Sequence, residues 1–447
     1  MIIDLDSPLT LSEIKTSTGS LTPLTYNAVI RKITTDSREA SPSSLFIALN
    51  GKKLSGTDFL RSAKDRGAVT LGASEFADIP VKNSEEALLA LAHHYKKKHL
   101  TKIKATVAVT GSVGKTTTRE FINKLLCDKH KTHSSYENYN NAIGVPLTVL
   151  SAPEDTEILI CEVGMNSSGE IDRLSKCIEP DVAVITNIGT AHIGNLGSRE
   201  KIAEAKLEIL SGMSDEATLC VPYGEELLKN KGAKTFSAFT KKADISVIGN
   251  DTVEIFSDGI KIGDSGFALS EYHHRECLAA ALCASLTVGD ESEVIAAIPK
   301  ISNRDVRAKI YKAQGFYILD DCYNASYESI NAAMNQLSAL SGYSERCVLL
   351  GDVLELGEFS EEIHIKIGRL ITRFAPSRIY LYGKFAKHTR LGALSMGFSN
   401  SDIYDFDIGK EAALVEKIKE LNRDGGIMLV KGSHGMRLDK IIDYLKL

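Results

Sequence analysis

The sequence lacks any Cys-x-x-Cys pair, although eight cysteines are scattered from Cys127 to Cys347. That spacing argues against a zinc site or a disulfide frame and for reduced, mostly core thiols in an intracellular compartment. The start, Met-Ile-Ile-Asp-Leu-Asp, has neither the basic residues nor the apolar stretch of a secretory leader. No apolar run is long enough to cross a bilayer: the longest, Cys277 to Val288, is about a dozen residues. A cytoplasmic protein without stable membrane insertion is therefore expected. There is no excess of positive charge either, with 53 basic against 58 acidic residues and a net charge of -5. Nucleic acid is not expected as a partner. Internal repeats and low-complexity tracts are also missing.

What is there is an average globular composition, 43% hydrophobic and 25% charged, spread over 447 residues. That length exceeds one ordinary core and predicts several domains. A helix is expected over Ser84 to Tyr95, followed by Lys96-Lys97-Lys98, read as a solvated helix end and linker. An apolar run, Ala105 to Thr110, then leads through a glycine-rich turn into a helical pattern from Thr117 to Cys127. The β-rich runs Glu157–Glu162 and Asp181–Thr186 alternate with helical stretches and predict a mostly parallel sheet. The pattern restarts near Asn303. Strands are expected at Phe316–Asp320, Cys347–Leu350, Arg378–Tyr382 and Ile427–Val430, with helices at Ser329–Leu340 and Ser360–Phe374. The reading is α/β with three domains, 1–103, 104–303 and 304–447.

The sharpest motif is Thr110-Gly-Ser-Val-Gly-Lys-Thr-Thr117. A glycine turn between strand and helix lets backbone N–H groups approach phosphate oxygens, and the helix N-terminus favours negative charge. Gly111, Ser112, Val113, Gly114, Lys115, Thr116 and Thr117 are thus the candidate ATP-binding residues. Lys115 would serve the β and γ phosphates, and the Thr116 hydroxyl would serve Mg²⁺. The two glycines are closer together than in the common phosphate-loop pattern.

Three further residues stand where chemistry is expected. Glu162 ends a strand, and a carboxylate there faces the ligand crevice of an open α/β sheet. It could hold Mg²⁺ or be a surface carboxylate. His192 follows the next strand and could be a metal residue or a structural histidine. Ile202, Lys206 and Leu210 recur at helical spacing, so the lysine falls in an apolar stripe. It could be a desolvated amine of lowered pKa or a surface lysine with a buried stem.

Taken together, these stretches resemble the Mur ligase family of bacterial cell-wall enzymes. Matching stretches include Asp36-Ser-Arg38, the phosphate loop, Asn138 to Pro146, Glu162 to Ile171 and Thr186 to His192. Ala205 to Ile209, Asp320-Asp-Cys-Tyr-Asn324, Leu350 to Gly357 and Lys431-Gly-Ser433 complete the series, which spans nearly the whole chain. The shortened phosphate loop is the form this family uses. The resemblance implies an N-terminal domain for a UDP-sugar peptide, a central ATPase domain and a C-terminal Rossmann-like domain that closes over it. It implies ATP and Mg²⁺ as cofactors, and it is strongest to the member that adds D-alanyl-D-alanine to UDP-N-acetylmuramoyl-tripeptide in peptidoglycan synthesis. A monomer is expected. By the same resemblance Asp36, Ser37, Arg38, Asn140 and Asn141 would contact the UDP substrate, and Asp321 and Asn324 the nucleotide. Lys115, Glu162, His192 and Lys206 would be catalytic, with Thr116, Glu162, His192 and Lys206 associated with metal and Lys206 carbamylated.

The chain departs from the family pattern at three places. Ser55 and Thr57 stand where relatives often carry Asp and His, Tyr272–Cys277 lacks the usual asparagines, and Tyr323-Asn-Ala-Ser-Tyr327 lacks a proline. The ligase that adds a diamino acid is disfavoured because Asp-Asn-Pro-Arg does not occur. A folate polyglutamylating ligase is disfavoured by the Asp320–Asn324 and Leu350–Asp352 stretches. A nucleotide-binding switch without ligase activity would need neither Lys206 nor the Asp36 motif.

Overall fold

The computed structural model describes the chain except residues 1, 24–26, 52–53, 137, 230–231, 250–251, 267–268, 270–271, 302–308, 314, 422–424 and 447. The expected domain border at 303, and Lys52 and Lys53 of the Gly51–Thr57 stretch, lie outside the described residues.

Three sheets follow one another along the chain. The first has five strands in the order 2–10, 29–34, 44–48, 69–72 and 79–80. Only its first pair is antiparallel. The central sheet has nine strands, and five of them run inward from one edge in the order 132–134, 158–162, 105–110, 182–185, 218–222, all parallel. The run 218–264, which the sequence reading did not resolve into strands, extends this sheet and ends in two antiparallel pairings. The third sheet has six strands in the order 309–313, 316–320, 427–431, 346–351, 378–382 and 403–406. Only its first pair is antiparallel.

The central strands Ala105–Thr110, Ile158–Glu162 and Val182–Ile185 are buried at every position because both faces are covered. Val107 and Val109 pack with helix Tyr272–Val288 on one side, while Ala108 joins a core on the other. Each fully buried valine or isoleucine contributes about 1.5–3 kcal/mol, so a polar residue at Val107 would be severely destabilising. Among the described residues no helix is long and apolar enough to cross a membrane.

Helix Ser84–His99 ties the first sheet to the central one. Asn83 caps it, its Oδ1 accepting from the Glu85 and Glu86 backbones at 2.8 and 3.2 Å. Its buried stripe of Ala87, Leu88, Leu91, Ala92 and Tyr95 packs on helices Gly144–Leu150 and Glu170–Ile178. The basic run forms the helix end, with Lys97 and Lys98 exposed as expected, but it is not a linker and Lys96 is not solvated. The Lys96 ammonium donates to the Ile178 carbonyl and to that of Glu179 at 3.2 Å, covering the C-terminus of helix Glu170–Ile178. Lys97 pairs with Glu179. Unsatisfied carbonyls and the negative end of the helix dipole draw these lysines in.

Candidate functional site

Strand Ala105–Thr110 runs into the phosphate loop, and helix Lys115–Leu126 starts two residues before the sequence pattern suggests. Gly111 and Gly114 adopt φ of +142° and +84°, where side chains are strained. Space forbids a side chain as well. A Cβ on Gly111 would lie 1.8 Å from Thr186 Oγ1, and one on Gly114 would lie 3.0 Å from Cys277 Sγ. Lys115 Nζ donates to the Gly111 carbonyl at 2.7 Å, folded over its own loop.

Glu162 ends the neighbouring strand and is 2% exposed. Both of its oxygens are engaged. Thr116 Oγ1 donates to Oε2 at 2.6 Å and Asn140 Nδ2 donates to Oε1 at 2.9 Å. The buried Arg119 guanidinium stands 3.9 Å away. Asn141 plays a local part, its Oδ1 accepting from the backbones of Ile143 and Gly144 at 3.0 and 2.9 Å.

Helix Arg199–Leu207 is shorter than expected and continues as a 3-10 turn. It still buries Ile202 and Lys206, while Leu210 is half-buried. Lys206 is 2% exposed. Burial, with the Lys115 charge added, drives its pKa well below the usual lysine range. His192 lies at the far end of the loop after strand Val182–Ile185, in the left-handed region at φ +65°. Its Nδ1 is 2.7 Å from Glu355 Oε2 on the third sheet's side. A carboxylate only accepts, so Nδ1 carries a proton.

The third sheet offers the ends of three adjacent strands. Lys431 closes one of them, is 2% exposed, and donates to Asp321 Oδ2 at 2.6 Å and to the Asn324 carbonyl at 2.9 Å. The loop Asp321–Asn324 is thereby pinned by one buried cation. His273, from helix Tyr272–Val288, lies between this side and the phosphate loop. Burial, helped by the charges of His274 and Lys431, lowers its pKa to about 4.

One cleft is lined by all seven phosphate-loop residues and by Asn140, Asn141, Glu162, His192, Lys206, Asp321 and Asn324. Residues 36–38 are not among those that line it. They follow strand Val29–Thr34 of the first sheet, where Asp36 caps the 3-10 turn Ser37–Glu39. There Arg38 pairs with Asp36 at 2.6 Å, and this hydrogen-bonded guanidinium holds the Asp36 carboxyl far below the usual range. Lys431 and His273 also line the cleft but were given no role by the sequence reading. Lys431 ends an apolar strand, as Glu162 does, and that position was the available signal.

These features define a phosphate-loop nucleotide-binding protein in which a second α/β sheet faces the nucleotide crevice. The Mur ligase middle-domain model matches residues 109–276, and the model described as Mur ligase family, catalytic domain matches residues 29–96. The chain is 34% identical over 442 residues to the UDP-N-acetylmuramoyl-tripeptide–D-alanyl-D-alanine ligase of Bacillus subtilis (strain 168), covering 95% of this chain and 94% of that protein. It is 28% identical to the ligase of the same name from Escherichia coli (strain K12), covering 93% of each. A crystal structure of MurF from Acinetobacter baumannii superposes with a TM-score of 0.85 at 24% identity, covering 99% of this chain and 100% of that one. MurF ligase from Thermotoga maritima in complex with ADP gives 0.77 at 24% identity, covering 93% and 96%. The chain belongs to the Mur ligase family.

Proposed function

We propose that this protein is an ATP-dependent ligase that joins D-alanyl-D-alanine to UDP-N-acetylmuramoyl-tripeptide, forming the pentapeptide precursor of peptidoglycan. The observation that carries the reading is the single cleft in which the phosphate loop, Glu162 and Lys206 face Asp321, Asn324 and Lys431. The near full-length similarity to ligases of that name supports the choice of substrates. In this reading residues 1–103 seat the UDP substrate through Asp36, Ser37 and Arg38, with Asn140 and Asn141 at the cleft. Residues 104–303 bind ATP and residues 304–447 close over it. The protein acts as a monomer in the cytoplasm.

The terminal carboxylate of the tripeptide attacks the γ-phosphorus of ATP and ADP leaves. The amine of the dipeptide then attacks the acyl carbon, phosphate departs with the C–O bond electrons, and the amine loses its proton as the amide forms. Lys115 releases the Gly111 carbonyl to meet phosphate oxygens. Asp321 and Asn324, held by Lys431, complete the nucleotide's far wall, and closure keeps water from the acyl phosphate.

The residues fit a Mg²⁺ ion. Glu162 and the Thr116 hydroxyl give hard oxygen donors beside a phosphate cradle, and Mg²⁺ takes few protein ligands beside phosphate and water. No group of three or more His, Cys, Asp or Glu able to form a protein-only metal cage occurs among the described residues. When bound, the ion neutralises charge building on the transferred phosphoryl group. Burial lowers the pKa of the Lys206 amine, which suits it to react with CO₂, and the carbamate so formed would bring a second anion to the cleft, with His192 at its rim.

The test is phosphate release with ATP, Mg²⁺, UDP-N-acetylmuramoyl-tripeptide and D-alanyl-D-alanine, omitting each in turn, with Lys115→Ala as control. Release that needs every substrate and a product of pentapeptide mass is the expected result. Release independent of the dipeptide, or none with any UDP-muramoyl peptide, would overturn the proposal.

A further inference from the structure

The loop Thr186–His192 touches both the phosphate loop and the third sheet's side of the cleft. At one end it is bonded to the phosphate loop. Asn187 Oδ1 accepts from the Ser112 and Val113 backbones at 3.1 and 3.0 Å, Gly189 N donates to Ser112 Oγ at 2.9 Å, and Thr186 Oγ1 donates to the Val113 carbonyl at 2.6 Å. One residue beyond Gly189, a carboxylate from the other side grips the same loop. Glu328 stands in the first turn of helix Tyr327–Ala339. Its Oε1 accepts from the Thr190 backbone at 2.8 Å and its Oε2 from the Thr190 hydroxyl at 3.2 Å. The fit is close, because a Cβ on Gly189 would lie 2.7 Å from the Glu328 carboxyl carbon.

We propose that Glu328 is a positioning residue: by clasping Thr190 it docks the third sheet's side of the cleft and couples that docking to the conformation of the phosphate loop. The inference rests on the ligase reading above and adds to it the contact through which closure is sensed. The helix that carries Glu328 begins at Tyr327, three positions after Asn324, so releasing the clasp withdraws the nucleotide-facing Asp321–Asn324 loop too. The seat of the UDP substrate on the first sheet is fastened separately, through Lys96 and helix Ser84–His99. Loss of the clasp should therefore weaken nucleotide binding and spare the UDP substrate. Two sites linked through one two-state contact typically couple by about 5- to 150-fold.

The full-length protein and its Glu328→Ala, Glu328→Gln, Gly189→Ala and Glu328→Ala/Gly189→Ala variants are titrated calorimetrically with ADP and, separately, with UDP-N-acetylmuramoyl-tripeptide. ADP affinity is expected to fall about tenfold in Glu328→Ala and in Gly189→Ala. It should fall less in Glu328→Gln, which keeps an acceptor for the Thr190 N–H. The double variant should match Glu328→Ala alone, because the three atoms nearest the added methyl all belong to the Glu328 carboxyl. Affinity for the UDP substrate should be unchanged throughout. Wild-type ADP affinity in Glu328→Ala, additive losses in the double variant, or equal loss of both ligands would each overturn the clasp. A wild-type protein that binds neither ligand would instead refute the ligase reading and take the clasp with it.

Discussion

Lys206 and Lys115 share a wall of the cleft, and the Lys115 charge adds to burial in driving the Lys206 amine toward neutrality. Two lysines face one site, and burial takes from Lys206 part of the preference for charge that an exposed lysine has.

Lys206→Ala is accordingly expected to lower turnover by about 100-fold or more, the scale of losing one electrostatic group at a transferring phosphoryl. Formate or acetate should restore part of it by supplying the missing anion. A carbamate ¹³C resonance should appear in the wild type with labelled bicarbonate and vanish in the variant. Full activity in Lys206→Ala would sink the assignment.

Gly111→Ala tests the phosphate loop without removing a polar group. The new methyl would collide with Thr186 Oγ1, at 1.8 Å, on a backbone already at φ +142°. ADP affinity should drop about tenfold or more. An unchanged dissociation constant by calorimetry would mean that the loop does not hold the nucleotide.

Gly194→Ala places a wedge at the second contact between the halves of the cleft. Its Cβ would lie 2.4 Å from Gly357 N and 2.5 Å from the Glu355 carbonyl. The surfaces must part, so ligation should slow by about 10- to 100-fold as reacting groups lose their alignment. The radius of gyration of the ligand-bound protein, from small-angle scattering, should exceed that of the wild type. Unchanged values for both would show that this contact is not needed for closure.

Glu13 offers a check on stability alone. It closes a capping box with Thr10 on helix Leu11–Thr18 and also meets Lys98. Burial would raise its pKa from 4.5, but hydrogen bonds from Lys98 and Thr10 outweigh it and bring the value to about 2. On acidification the unfolded chain takes up the proton first, so this stabilisation is present above pH 4.5 and fades as pH falls toward 2. Glu13→Gln keeps an acceptor for the Thr10 N–H but loses the charge facing Lys98, so it should melt lower at neutral pH by about 0.5–1 kcal/mol. The gap should close in that acidic window, and a gap constant with pH would contradict the pairing.

The phosphate loop was legible in the sequence because everything that shapes it is local: glycines, a strand before and a helix after. Glu162 and His192 were legible as residues just past parallel strands, and Lys206 by its place in an apolar stripe. What escaped was held by pairings remote in the chain. Thr190 and Glu328 are 138 residues apart, Lys431 and Asp321 are 110, and Lys96 and Ile178 are 82. No periodicity encodes such partners. That is why Lys96 read as a solvated lysine and Lys431 as no more than part of a matching stretch after a strand.

The grip of helix Ser84–His99 on the central helices bears on how this chain can be divided. Leu88, Leu91, Ala92 and Tyr95 share a continuous core with Val145, Leu147, Ile171 and Leu174, although a cut near residue 103 would assign them to different pieces. A fragment ending there would expose that apolar face to water, and its complement would expose the matching one. The two stretches should melt together as one cooperative unit, so a boundary drawn along the chain is not a boundary in stability.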